Sequence, residues 1–153
     1  MGNSISRKEE KETGTNVRLR KEFEEAKVER AECWKSLQKA NSELDKTEIS
    51  LYKHLAKHSD LKNHIYELKK ELEILKEFLS KSIKEEKKEE IGKTRLNIIE
   101  HEKLLKKKIE AFDEQKSLHA KFKAAKNFQW DRECDFDFAG TIYSNLQKKI
   151  KEF

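Results

Sequence analysis

The chain has 153 residues, no proline, four glycines, 42% charged and 35% hydrophobic side chains, and a mean hydropathy of -1.03. That composition belongs to exposed helix and excludes a large buried core. The 35 basic and 30 acidic residues are interspersed, so the net +5 forms no dense basic stripe able to neutralise many phosphates, which argues against nucleic acid as a partner. Cys33 and Cys134 stand far apart with no metal-ligand or redox spacing, and no run reaches the roughly 18 to 20 apolar residues needed to cross a bilayer.

The first element is a segment over residues 1 to about 16, expected as a flexible tether because Ile5 is its one large apolar side chain. It begins Met1-Gly2-Asn3-Ser4-Ile5-Ser6-Arg7-Lys8, which fits the M-G-x-x-x-[ST] pattern of N-myristoylation at Gly2. One myristoyl chain binds membranes only marginally and needs a second contribution. Arg7, Lys8, Lys11, Arg18, Arg20 and Lys21 have the sign to supply it on an anionic leaflet, and Glu9, Glu10 and Glu12 offset part of the attraction. The expected address is the cytosolic side of a membrane, with the protein peripheral to it.

A coiled-coil helix follows over about 17–89. With Phe23, Arg30, Leu37, Leu44, Leu51, His58, Ile65, Leu72 and Leu79 at position a, position d holds Ala26, Cys33, Ala40, Thr47, His54, Leu61, Leu68, Leu75 and Ser82. The register runs without a stutter, and its strongest seam residues are Leu37, Leu44, Leu51, Leu61, Ile65, Leu68, Leu72, Leu75 and Leu79. In a parallel in-register homodimer Glu43 would face Glu48, Lys57 would face Lys62 and Glu85 would face Glu90, while only Glu71 and Lys76 would attract. That assembly is disfavoured. A hairpin that folds back, or a different homo- or hetero-oligomer, suits the charges better.

The seam lapses over Lys84–Glu90, and Gly92 then suggests a hinge at 90–93. A second helix is predicted over 94–127, on Ile91, Ile98, Leu105, Phe112 and His119 at sevenfold spacing with Ile109 and Phe122 on the same side. Residues 128–140 read as an acidic-aromatic loop that lacks heptad order. Its Trp130, Phe136 and Phe138, set among Asp131, Asp135 and Asp137, are candidates to dock on a partner or to cap the chain's own bundle. A short amphipathic helix is expected over 141–153 from Ile142, Tyr143, Leu146, Ile150 and Phe153.

No glycine-rich phosphate loop and no nucleophile with an organising His and acid are present, so the reading is non-enzymatic, without cofactor. His54 and His58 lie one turn apart, and the hairpin would bring His119 near. As seam residues they suit a polar, pH-sensitive layer better than a metal site, and no metal is assigned. The function expected is an all-α coiled-coil scaffold or adaptor, lipid-tethered and binding protein partners. The alternatives are a soluble structural coiled coil of a cytoskeletal or centrosomal assembly, or a subunit of a larger helical complex.

Overall fold

The computed structural model describes residues 2–152, with side chains over 14–152; Gly2, Arg7, Lys8 and Lys11 lie outside the residues whose side chains are described. The chain is all-α. Among the described residues every regular element is a helix: α1 over Gly2–Lys57, α2 over Leu61–Lys84 and α3 over Lys88–Lys151. The chain divides into two compact units, one made of Met1–Lys46 with Lys123–Phe153 and the other of Thr47–Phe122.

Five boundaries differ from those that the sequence suggests. The backbone of α1 is already helical at Gly2, so the segment 1–16 is the start of a helix and not a separate tether. The long helix expected over 17–89 is interrupted at His58-Ser59-Asp60, where Asp60 takes a left-handed conformation with φ 54°. Aspartate tolerates that region because its short side chain bonds locally. Here its carboxylate accepts a hydrogen bond from Asn63 Nδ2 at 3.1 Å. Heptad counting does not sense this break, since His58 and Leu61 both keep their seam positions across it.

The reversal lies at Glu85–Lys87, and Gly92 sits inside α3. Glu86 N–H donates to Ile83 O at 3.2 Å and Lys87 N–H to Ser82 O at 3.1 Å. This pair of bonds is the Schellman arrangement, with Glu86 at φ 56° in the place that glycine usually takes. The flanking charges suit it: Lys81 and Lys84 occupy the last turn of α2, and Glu89 and Glu90 the first turn of α3. Each sign therefore faces the helix end that attracts it.

Finally, 128–140 is helix and not loop, and 141–153 is no separate element: α3 continues through both as far as Lys151. The ring-rich segment has a seam after all. Phe122, Gln129, Phe136, Tyr143 and Ile150 recur every seven residues, with Ala125, Arg132, Ala139 and Leu146 between them, and all are buried or half-buried. This heptad is out of step with Ile91, Ile98, Leu105 and Phe112. In α3 the inward face passes through Gln115 and Leu118, leaving His119 and Ile109 exposed.

Within the 47–122 unit Leu51, Leu61, Leu68, Leu72, Ile98 and Ala111 are buried, together with the polar His54, Ser82 and Thr94. Each fully buried leucine contributes about 1.5–3 kcal/mol relative to exposure. Across α2 and α3, Glu71 meets His101 at 3.1 Å and Lys76 meets Glu102 at 3.9 Å.

Candidate functional site

The surface with most to offer lies in the unit formed by residues 14–46 of α1 and 123–152 of α3. The two segments run antiparallel and close on rings. Phe23 stacks on Tyr143 with centroids 4.9 Å apart, and Trp34 tilts against Phe136 at 5.1 Å. Farther along, Gln129 Nε2 donates to Asn41 Oδ1 at 3.1 Å. Leu37, Ala40 and Ala139 are buried between the helices.

Arg30 occupies a seam position by heptad count yet is exposed. Its guanidinium lies 4.9 Å from the Tyr143 ring centroid and 5.8 Å from that of Phe136. A long cationic side chain at a seam does this because its stem packs while its head reaches water, and each cation–ring contact contributes about 0.5–1 kcal/mol at an exposed site. Beside it opens a shallow cleft of about 420 Å³ lined by Lys27, Arg30, Ala31, Trp34, Phe136 and Tyr143.

The opposite flank of the same helix pair is acidic. One hollow of about 500 Å³ is lined by residues that include Glu29, Glu32, Cys33, Asp135, Phe138 and Ile142. A second, of about 510 Å³, shares Glu29 and Ile142 and extends to Glu22 and Lys149. Cys33 registers the field there: its S–H faces Glu29 Oε1 at 3.8 Å. Burial, then the carboxylates of Glu29, Asp135 and Glu32, push the thiol above its ordinary value of 9.0. This is the opposite of an activated nucleophile.

The three rings proposed for docking take different places. Phe136 lies half-buried in the seam against Trp34, whereas Trp130 and Phe138 are 64% and 69% exposed. Trp130 and Phe138 are eight residues apart, so they point about 80° apart around the helix and form no common cluster. The seam leucines have a partner in their own chain. Leu37, Leu51, Leu61, Leu68 and Leu72 are buried and Leu44, Ile65, Leu75 and Leu79 half-buried, on helices that pair across to α3. Arg18, Arg20 and Lys21 are exposed.

In the other unit His54 is buried at 8%, with its Nδ1 3.9 Å from Glu114 Oε2, its Nε2 unpartnered and its ring 4.8 Å from that of His58. His119 is exposed and adds nothing to the pair. Among the described residues no three His, Cys, Asp or Glu side chains converge on a point that could hold a metal ion, and no helix is long and apolar enough to cross a membrane.

Comparison with family models, curated proteins and solved structures found no match to this chain.

Proposed function

We propose that the protein is a non-enzymatic helical scaffold or adaptor, held on the cytosolic face of a membrane through N-myristoylated Gly2, that binds protein partners along the flanks of its paired helices. The observation that carries the partner-binding half is the exposure of large apolar side chains on otherwise charged helices. Trp34 is 49% exposed, Phe128 50%, Trp130 64% and Phe138 69%. A helix pair leaves such rings in water unless a further helix covers them, and aromatic side chains are enriched where proteins meet partners.

The tether rests on the Met1-Gly2 pattern, with Arg18, Arg20 and Lys21 exposed for an anionic leaflet. Co-expression with an N-myristoyltransferase tests it. Intact mass is expected to show one added acyl group that Gly2→Ala abolishes, together with salt-sensitive binding to vesicles containing phosphatidylserine. An unmodified amine in native cells would return the protein to the soluble structural class.

A further inference from the structure

The two acidic hollows of the α1/α3 pair form one groove. They share Glu29 and Ile142, and along α1 they extend from Glu22 to Ser36. At 1.5 Å per residue that length is about 21 Å, or four turns of a facing helix. Its floor is apolar, with Ala139 buried, Ile142 40% exposed and Phe138 69% exposed at the rim. Among the described residues none closes over the outer faces of Ile142 and Phe138.

Charge decides what fits. Five carboxylates, Glu22, Glu25, Glu29, Glu32 and Asp135, line the groove against the cations Arg132 and Lys149. Arg132 and Asp135 offset each other at 3.4 Å, with Arg132 also 5.0 Å from the Phe128 ring centroid, which leaves four glutamates against Lys149. The four glutamates follow 3-4-3 spacing, which sets them in a row on one side of α1. A phosphate backbone or an anionic leaflet would be repelled here.

We propose that this groove binds a basic amphipathic helix of a protein partner, whose apolar stripe covers Phe138 and Ile142 while lysines or arginines on its edge meet Glu25, Glu29 and Glu32. Apolar contact supplies affinity, and the carboxylate row sets orientation and speeds encounter. The inference rests on the scaffold reading above and not on the lipid, so unacylated full-length protein tests it separately.

The probe is a helical peptide of lysine and leucine at amphipathic spacing, compared with its glutamate-leucine counterpart. In a Cys134→Ser background the lysine peptide is expected to slow alkylation of Cys33, which lines the groove, and to bind more weakly as salt rises. Glu29→Lys with Glu32→Lys should weaken binding at least about tenfold. Phe138→Ser should weaken it as well, whereas Glu102→Lys in the other unit should not. All four sites are exposed, so circular dichroism of the variants should match the parent. Equal binding of the glutamate peptide, or unchanged affinity in both groove variants, overturns the proposal. So does a self-associated chain in which Cys33 is already protected, since a second copy would then be the occupant.

Discussion

The two units are built from paired helices, yet they close differently. Residues 47–122 close on leucine: Leu51, Leu61, Leu68 and Leu72 are each no more than 9% exposed. The pair over 14–46 and 123–152 closes on one buried leucine, Leu37, with rings and alanines, and Phe23, Phe136 and Tyr143 remain only half-buried there. Branched aliphatic side chains interdigitate and fill the space between helices, whereas a flat ring beside an alanine leaves a gap on either side. Trp34, Phe136 and Tyr143 line the shallow cleft beside Arg30, whereas the acidic hollows on the other flank lie beside the small Ala26 and Ala139. The leucine seam supplies stability.

The sharpest way to break this contrast is truncation. Leu61→Ala, at 2% exposure, should cost about 2–4 kcal/mol in urea unfolding followed by circular dichroism, while Phe138→Ala, at 69%, should stay within about 0.5 kcal/mol. Comparable losses at both sites would mean that the ring-lined flank is core. Next comes Arg30→Ala, which removes contacts to two rings and should cost about 1 kcal/mol. Lys76→Ala removes an exposed ion pair and should change stability by less than about 0.5 kcal/mol.

Backbone substitutions should raise stability in either unit. A methyl group at Gly92 or at Gly140 would meet nothing within 4 Å, so each Gly→Ala change should stabilise by about 1 kcal/mol through helix propensity, read as a higher melting temperature. Glu86→Gly relieves a left-handed residue in the α2–α3 turn and should add about 0.5–1 kcal/mol. A loss at Glu86→Gly would mean that its side chain holds the turn.

The smallest effect is confined to the leucine unit and depends on pH. Burial, then His54, Lys57 and Lys108, hold the His58 imidazole below its ordinary 6.5, with Glu114 acting the other way. The unfolded chain therefore takes up the proton first. Stability should fall as pH drops through 6.5, and the fall should end once the folded-state imidazole also protonates. Melting temperature followed from about pH 7.5 to about 5.5 should decline, and His58→Gln should flatten the decline.

Much of this was legible in the chain itself. Heptad spacing alone puts Leu37, Leu51, Leu61, Leu68 and Leu72 on one face, and they are buried. The seam through Phe122, Phe136, Tyr143 and Ile150 was also written at sevenfold spacing. It was masked by the polar Gln129 and Arg132 at seam positions and by Phe128, Trp130 and Phe138 off the seam. The sequence points to a turn near Gly92 because that residue is the conspicuous helix breaker. The true signal was electrostatic, with Lys81 and Lys84 ending one helix and Glu89 and Glu90 starting the next. The row Glu22, Glu25, Glu29, Glu32 was equally visible, but it looks like any solvated face until Phe138 and Ile142 stand across from it.

Local sequence was enough to determine that this protein is helical and which side of α1 and α2 turns inward, because propensity and a near-seven-residue period act within a few turns. Tertiary structure decided that the seam is met by the chain's own α3 and that an acidic edge and an apolar edge share one groove. Heptads carry no address: any apolar stripe satisfies another, so within the 47–122 unit the position of the turn at Glu86 selects which residues of α2 and α3 end up side by side.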